Sequence, residues 1–459
     1  MASLPSPSPS MIIQNAQVLL PSGDIALCDV ATAEGKITAV GTGLDVSANT
    51  RIIDGQGLTL LPGVIDPQVH FRDPGLDHKE DLFTASCACA RGGVTSFLEM
   101  PNTLPPTTTQ AALTDKLAIA ATKSLVNYGF FIGATAENLP DLQVASPTCG
   151  IAIFMSAADA PLLVDTAETI EPIFAAGAAC GHGNARGGSS PGENRLIAVH
   201  AENQARILER QAQCSGERNP ATHTKVQDNE TALLATKMAL GFSKKYQRRL
   251  HILHLSTGEE AELLRRDKPS WVTAEVTPQH LLLDIGAYET LGTLAQTNPS
   301  LKYARDREIL WQALLDGVID FIATDHAPHT LEEKSKGYPH APSGVPGVET
   351  SLPLMLTQAK ENRCTVAQVS YWMSTAVAQA YNMPNKGLIE PGFDADLVLV
   401  DLLTYRPVLR EELQTKCGWS PFEGWNLTGW PVVTIVGGQV VYDHGHINTD
   451  VRGQALEFG

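Results

Sequence analysis

The feature that most constrains the fold is an apolar run, Leu58 to Ile65, that leads directly into a row of polar side chains. Gly57 precedes the run and Asp66-Pro67 follows it, a pattern typical of a buried β-strand between chain breaks. Alternate residues of a strand point to the same side. We therefore expect three side chains able to bind metals or anions to project together from this strand end: Gln68, His70 and Arg72.

Between about residues 61 and 385, β-rich runs alternate with helical stretches, which is the pattern of repeated βα units. The 459 residues are enough for one (β/α)8 barrel of roughly 250 to 300 residues and a smaller module. In such barrels the chemistry lies at the C-terminal ends of the strands. The sequence thus predicts an α/β fold with a TIM barrel over 61–385, and with Arg72 at a solvent-facing strand end.

Both ends of the chain carry short β-rich runs separated by Gly and Asp turns, over residues 11–60 and 386–459. Each set is too short to fold alone, and chain termini often lie close together. We expect the two ends to pair into one small β-sandwich domain. Residues 1–10 are rich in Pro and Ser and are predicted to form a disordered tail.

The charge balance restricts the partners of the protein. The chain has 50 acidic and 33 basic residues, a net charge of -17, which disfavours nucleic acid and anionic membranes. It has no apolar stretch of membrane-spanning length and no signal-like start, and its eight cysteines are scattered. These features indicate a cytoplasmic protein in a reducing compartment. An anionic substrate would then need local positive charge, from Arg72 or from a bound metal.

Three later predicted strands also end in residue types that bind metals. The runs 196–201, 250–255 and 320–324 lead to His200, His254 and Asp325. Any one of these residues alone is more often a core or surface residue. Their recurrence at strand ends favours a shared site. The Gly/Ser-rich segment 180–194 has no apolar period and is predicted to be a mobile loop, with its His182 exposed to solvent.

Several motifs resemble those of the amidohydrolase superfamily and, within it, of the dihydroorotases. That family carries H-x-H-x-R-x-P-G, followed by G-G-V-T and M-P-N-T. The corresponding residues here are Gln68, His70, Arg72, Pro74-Gly75, 92–95 and 100–103. Matching blocks continue almost to the C-terminus, so the resemblance covers nearly the whole chain. It implies the same architecture of barrel and sandwich that the strand pattern predicts.

The resemblance also implies an activity, the reversible hydrolysis of the ring amide of dihydroorotate to N-carbamoyl-aspartate in pyrimidine biosynthesis. Asp325 corresponds to the catalytic general base. The residues that correspond to substrate contacts are Arg72, Asn102, Asn298 and His329. Residues 343–347, SGVPG, resemble the loop that closes over the ring. The family further suggests a homo-oligomer.

The metal ligands implied by the resemblance are His70, His200, His254 and Asp325. Imidazole nitrogens and carboxylate oxygens suit Zn²⁺. Two family ligands are replaced, however: Gln68 stands at the first His and Ala152 at the bridging Lys. One zinc is therefore expected rather than two. Asp159 is the nearest residue that could supply a bridge instead.

Two alternatives remain open at this point. The first is a catalytically impaired, dihydroorotase-like subunit that supports aspartate carbamoyltransferase, which the replacements at Gln68 and Ala152 favour. The second is another cyclic-amide hydrolase, of the hydantoinase or dihydropyrimidinase type. Arg72 and Asn102 disfavour this second alternative because they match residues that recognise a ring carboxylate.

Overall fold

The structure is a computed structural model, and it describes residues 10–46, 50–158, 160–176 and 195–459. Three expectations fall on residues outside these ranges. They are the disorder of residues 1–9, the loop at 180–194 with His182, and a bridging role for Asp159.

Eight parallel strands, β6–β13, form one sheet in strict chain order and make the predicted barrel. Their bounds are Val64–Val69, Val94–Glu99, Asn127–Gly133, Gly150–Phe154, Ile197–His200, Leu250–Ile252, Val272–Val276 and Phe321–Ile322. The first and last strands meet beyond β13, where the backbone N–H of His70 donates to the carbonyl of His326 across 2.8 Å. The expectation of a TIM barrel is confirmed.

The apolar run that was expected to form one strand instead forms two, in different sheets. Residues Thr59–Pro62 are β5 of the terminal sheet, and Val64–Val69 are β6 of the barrel. Gly63 lies between them, and a Cβ there would come within 2.2 Å of the Thr95 side chain. The chain thus passes from one sheet to the other at a position where no side chain fits. Because both strands are buried on both faces, their sequence shows no break.

Both ends of the chain build the second sheet, which confirms the expected pairing of the termini. Besides β5, its strands β1–β4 are Met11–Leu19, Ile25–Ala33, Lys36–Gly41 and Arg51–Asp54. The C-terminal strands β14–β19 are Leu397–Asp401, Arg406–Pro407, Asn426–Leu427, Trp430–Val436, Gln439–Asp443 and His446–Ile447, of which β15 and β16 form a separate pair. The two ends join where β14 runs antiparallel to β5, with Leu399 opposite Leu60.

Helices connect the barrel strands and cover them. The helices α1–α15 are Leu82–Gly92, Gln110–Lys123, Leu139–Val144, Ala167–Ala175, Gln204–Gln213, Thr222–Val226, Asn229–Tyr246, Gly258–Asp267, Pro278–Leu282, Ala287–Leu291, Ala304–Leu315, Leu331–Lys334, Ser351–Lys360, Val366–Ser370 and Ala376–Ala380. Short 3-10 helices span Gly292–Ala295 and Arg410–Glu412, and a π-helix spans Tyr371–Thr375. Among the helices of the described ranges, none is both long and apolar enough to cross a bilayer.

Local sequence explains where the first of these helices begins. Asp81 lies at the N-cap of α1, and its carboxylate accepts the backbone N–H groups of Phe83 and Thr84, each at 3.0 Å. Buried side chains of this helix, such as Ala88, join a core cluster that also contains barrel residues such as Phe97. The helix therefore anchors the segment that follows the first barrel strand.

Candidate active site

The ends of the first and eighth barrel strands are tied together by Asp66. Its buried carboxylate accepts the backbone N–H of Thr324 at 3.1 Å and the hydroxyl of the same residue at 2.6 Å. Burial raises the pKa of Asp66 to about 7, while the two hydrogen bonds from Thr324 oppose the shift. Gln68 lies two residues after Asp66 and Asp325 lies one residue after Thr324, so this link places Gln68 and Asp325 side by side.

Asp325 receives two side-chain contacts on one oxygen. Its Oδ1 lies 3.1 Å from His70 Nε2 and 3.4 Å from Gln68 Nε2. The other ring nitrogen of His70, Nδ1, lies 2.7 Å from the side-chain oxygen of Asn102. Asp325 Oδ2 accepts no hydrogen bond from any residue that the structure describes. Asp325 Oδ1 is thus held in place by its neighbours, and Oδ2 is free to accept a proton.

The second pair of candidate ligands is His200 with His254. His200 Nδ1 lies 2.9 Å from His254 Nε2, and the opposite nitrogen of His200 lies 3.1 Å from a Glu202 oxygen and 3.0 Å from Ser156 Oγ. His254 Nδ1 is buried and has no hydrogen-bond partner among the described residues. Burial is the main cause that lowers the pKa of His254 well below its usual value, and positive charge on His200 adds to it. His254 is therefore a neutral imidazole.

These donors do not form a cage for a metal. Two imidazoles on one tetrahedral Zn²⁺, each at about 2.0 to 2.1 Å, hold their nitrogens about 3.3 Å apart. The 2.9 Å between His200 and His254 is shorter than that. In the described ranges, no group of three or more His, Cys, Asp or Glu side chains is arranged to hold a metal ion.

Neither replaced position supplies the imidazole or the bridging lysine of the family. Ala152 on β9 is buried and offers only a methyl group, and Gln68 offers an amide oxygen that is buried without a partner among the described residues. The arrangement does not fit the two-metal centre that the family implies. The one zinc expected from the sequence stays a prediction.

Arg72 provides positive charge beside these pairs. It is 7% exposed, so the expectation of a solvent-facing side chain is wrong. Its Nε donates to the carbonyl of Pro328 at 3.3 Å, and Nη2 lies 3.4 Å from His329 Nε2. Burial lowers the pKa of Arg72 to about 10, so that it stays charged at neutral pH. It pairs with no carboxylate of the described chain, which leaves the guanidinium available to an anion.

His329 lies between Arg72 and the loop of residues 341–347. Its Nε2 is 3.0 Å from the carbonyl of Ser343, and its Nδ1 is 3.1 Å from the ammonium of Lys79. Burial first, and then the positive charges of Arg72 and Lys79, lower the pKa of His329 far below its usual value. His329 is therefore neutral and serves as a hydrogen-bonding group.

Asn298 reaches the same loop through a histidine that the sequence did not single out. His223 Nε2 lies 3.0 Å from Asn298 Oδ1, 2.9 Å from the carbonyl of Thr297 and 3.4 Å from Ser343 Oγ. Burial lowers the pKa of His223 to about 4. The expected site residues thus form three groups of contacts near the strand ends: His70 with Asp325 and Asn102, His200 with His254, and Arg72 with His329 and, through the loop, Asn298. His223 and Lys79 were missed because no motif marks either residue.

The backbone at three of these positions is unusual. Arg72, His254 and Asp325 have φ values of 68°, 34° and 50°, in the left-handed region that residues other than glycine rarely adopt. Such conformations cluster where side chains must be aimed for function. The same unusual conformation occurs after three separate strands. This recurrence supports a functional site rather than a chance grouping of polar residues.

A barrel with such a site at its strand ends belongs to a known class of hydrolases. The sequence profile of the Amidohydrolase family matches residues 59–441, which is most of the chain. The protein belongs to this family, and the resemblance noted in its motifs is confirmed.

Relatives and solved structures refine this assignment. A dihydroorotase of Methanosarcina acetivorans is 35% identical over 98% of this chain and 96% of its own length. A dihydroorotase of Bacillus subtilis is 32% identical over 95% and 99%. The L-hydantoinase (dihydropyrimidinase) of Arthrobacter aurescens superposes with a TM-score of 0.88 at 30% identity, covering 95% of this chain and 97% of that one. A dihydropyrimidinase of Brevibacillus agri gives 0.88 at 25% identity over 98% and 99%.

Proposed function

We propose that the protein is a dihydroorotase, a cyclic-amide hydrolase that interconverts dihydroorotate and N-carbamoyl-aspartate in pyrimidine biosynthesis. The curated relatives of this name match the chain over nearly its full length. The observation that carries the proposal is the buried guanidinium of Arg72. It has no carboxylate partner in the described chain and lies beside His329, at the same end of the barrel as Asp325.

In this proposal the ring carboxylate of dihydroorotate is the missing partner of Arg72. A guanidinium binds a carboxylate through two parallel hydrogen bonds, which also fix the orientation of the ring. The side-chain oxygen of Asn102 lies 2.7 Å from His70 Nδ1, and its amide nitrogen has no partner in the ranges described. That nitrogen can donate to the same carboxylate. Asn298 and His329 complete the pocket wall.

Asp325 is the proposed general base. With Oδ1 held by His70 and Gln68, its Oδ2 can take a proton from the attacking water and pass it to the ring nitrogen that leaves. His70 keeps the carboxylate oriented during this transfer. Asp325 acts first as a base and then as an acid. The same carboxylate can therefore serve both the hydrolysis of the ring and its closure.

A second candidate function is a dihydroorotase-like subunit with weakened chemistry that supports aspartate carbamoyltransferase. The observation that favours it is the pairing of the candidate ligands with one another, together with Gln68 and Ala152 at two ligand positions. A subunit of this kind would still bind dihydroorotate through Arg72. Binding without turnover therefore separates the two candidates.

The experiment that decides is an assay of the purified protein with dihydroorotate and with N-carbamoyl-aspartate, alongside equilibrium binding of both. Hydantoin and dihydrouracil, which lack the ring carboxylate, serve as comparison substrates because solved relatives include hydantoinases. We expect turnover of dihydroorotate and none of the uncharged rings. Binding of dihydroorotate without turnover would support the subunit role, and a preference for hydantoin would reject both candidates.

A further inference from the structure

Lys334 is a buried lysine that forms no ion pair with any residue that the structure describes. It ends α12, is 1% exposed, and donates its ammonium to three backbone carbonyls: Gln296 at 3.1 Å, Pro342 at 2.9 Å and Gly344 at 3.1 Å. The ring of Trp419 lies 5.7 Å from the nitrogen. Three donors meeting three carbonyls satisfy an ammonium completely. The arrangement joins two segments that are far apart in sequence.

One of these segments is the loop of residues 341–347, and a second residue holds it in the same way. The Gln296 side-chain nitrogen donates to the carbonyl of Ala341 at 3.0 Å and to Ser343 Oγ at 3.1 Å. The backbone N–H of Gly344 donates to the carbonyl of Gln296 at 2.9 Å. Lys334 and Gln296 therefore both fasten the loop, and they also contact each other.

The other face of the loop forms part of the candidate site. The carbonyl of Ser343 lies 3.0 Å from His329, and Ser343 Oγ lies 3.4 Å from His223, which also contacts Asn298. A Cβ on Gly344 would come within 2.4 Å of the carbonyl of Ala327. The loop thus packs so closely against the end of the eighth strand that any displacement of it would change the surroundings of His329.

We propose that Lys334 is a positioning residue that pins the 341–347 loop onto Gln296 and thereby fixes His329 and Asn298 as the two sides of one pocket. The identity of the ligand, dihydroorotate, rests on the proposed function. The pinning of the loop by Lys334 does not depend on it. Lys334 does not touch the candidate substrate residues. It acts through the loop.

Among the described residues, only backbone carbonyls accept hydrogen bonds from the Lys334 ammonium, and no carboxylate pairs with it. Burial lowers the pKa of Lys334 to about 7, and the hydrogen bonds to the three carbonyls favour its charged form. Methionine matches the volume of the lysine stem but donates no hydrogen bond. Arginine keeps the donors and the charge on a larger group. Lys334→Met should therefore release the loop, and Lys334→Arg should retain part of the effect.

The pinning is tested first on the free protein by hydrogen–deuterium exchange, which needs no activity. In Lys334→Met we expect the amides of Gly344 and Ala327, both bonded across this loop, to exchange about tenfold faster or more. Lys336→Met is the matched control, because Lys336 is exposed and lies two residues away. Unchanged exchange in a folded Lys334→Met protein would overturn the proposal.

The consequence for the pocket is tested by kinetics and binding with dihydroorotate. Release of the loop should raise KM and Kd about tenfold while kcat changes less, and Lys334→Arg should lie between Met and the parent. Faster exchange with unchanged affinity would reject the positioning role. If the parent binds no dihydroorotate, the proposed function fails, and the exchange comparison still decides whether Lys334 pins the loop.

Replacing Lys334 removes the ammonium donor from three backbone carbonyls and can prevent folding. A second variant therefore tests the same loop without changing Lys334. Gln296→Leu removes the two hydrogen bonds from the other fastening side chain to Ala341 and Ser343 and creates no buried charge. The same rise in exchange over 341–347 and the same loss of affinity are expected. A folded Gln296→Leu protein with parental exchange and affinity would contradict the pinned-loop arrangement.

Discussion

The side-chain nitrogen of Gln68 donates to Asp325 Oδ1 across 3.4 Å, on the same oxygen that His70 Nε2 approaches at 3.1 Å. An amide therefore occupies the position at which the family carries a metal-binding imidazole, and it stabilises the carboxylate as a neutral donor. The other amide atom, Gln68 Oε1, is buried and has no partner within the part of the chain that the structure describes. The site holds Asp325 in place by hydrogen bonds alone.

We predict that this replacement limits the metal content to at most one ion per chain, and that restoring both ligands reverses the limit. Gln68→His combined with Ala152→Lys should raise the metal content toward two and increase the rate of dihydroorotate hydrolysis. Neither single change should achieve this, because the imidazole and the bridge complete the same metal position and their effects are not additive. Elemental analysis and the hydrolysis assay measure both quantities.

The single variant Ala152→Lys provides the internal control for this prediction. Residue 152 is buried, so a lysine there without a metal places an unpaired ammonium in the barrel and should lower the free energy of unfolding. Adding Gln68→His and zinc should restore it. If the unmodified protein already binds two metals per chain and turns over rapidly, the prediction is wrong, and Asp159 becomes the first candidate for the bridge.

Arg72→Met tests the recognition of the ring carboxylate. We expect this variant to lose binding of dihydroorotate, by about 2 to 5 kcal/mol, because a charged hydrogen-bonded partner of the ligand is removed. The fold should persist, since methionine fills a buried site in which the guanidinium has no carboxylate partner among the described residues. Calorimetry measures binding, with Arg218→Met on the exposed surface as the control. Parental affinity in Arg72→Met would reject the substrate class.

Much of the fold follows from patterns that the sequence displays openly. Barrel strands are apolar runs that end in polar residues, and His200, His254 and Asp325 each mark such an end. Because parallel strands in a barrel bring their C-terminal ends to one face, residues distant in sequence could be assigned to one region. The termini were paired by the same reasoning, since neither set of short strands is stable alone.

Other features depend on tertiary contacts that leave no local signal. The apolar run at 58–65 gave no sign that it serves two sheets, because both halves are buried on both faces. Arg72 was expected to face solvent, yet the segment that contains His329 covers it. Lys334 closes a helix of four residues in a charged stretch, where a lysine is ordinarily exposed. Its burial follows from the loop folded over it.

Gly63 marks the passage from the terminal sheet to the barrel, and its replacement should be costly. In Gly63→Ala the new Cβ would meet the Thr95 side chain at 2.2 Å, so we expect the free energy of unfolding to fall by about 1 to 3 kcal/mol. Gly241→Ala is the matched control. Gly241 lies within α7, has no atom within 4 Å of its added Cβ, and should gain up to about 1 kcal/mol. Denaturant titration compares the two, and equal effects would contradict this account of the junction.

The last prediction concerns pH and uses His280, which is buried in α9. Its Nδ1 lies 2.8 Å from Thr277 Oγ1 and its Nε2 lies 3.1 Å from the carbonyl of Pro299. Burial, with a smaller effect from the charge of Lys302, lowers the pKa of His280 to about 4 from an ordinary value near 6.5. The folded protein therefore resists protonation of this ring more than the unfolded chain does.

The sign of the pH dependence follows from this shift. A depressed pKa contributes stability that is fully present above pH 6.5 and is lost as the pH falls through 4. Buried carboxyl groups act in the opposite sense over part of the same range: burial raises the pKa values of Asp66, Glu99 and Glu349 to about 7. The total stability of the parent thus mixes both effects, and only a comparison with a variant isolates the histidine.

His280→Gln keeps a polar side chain but cannot be protonated. Relative to this variant, the parent should lose about 3 kcal/mol of unfolding free energy between pH 6.5 and 4, because 2.5 units of pKa at 1.36 kcal/mol each give about that amount. Urea titrations at a series of pH values measure the difference. His340→Gln is the matched control, since it removes an imidazole at an exposed position. A difference between parent and His280→Gln that stays constant with pH would show that the buried ring does not titrate as described.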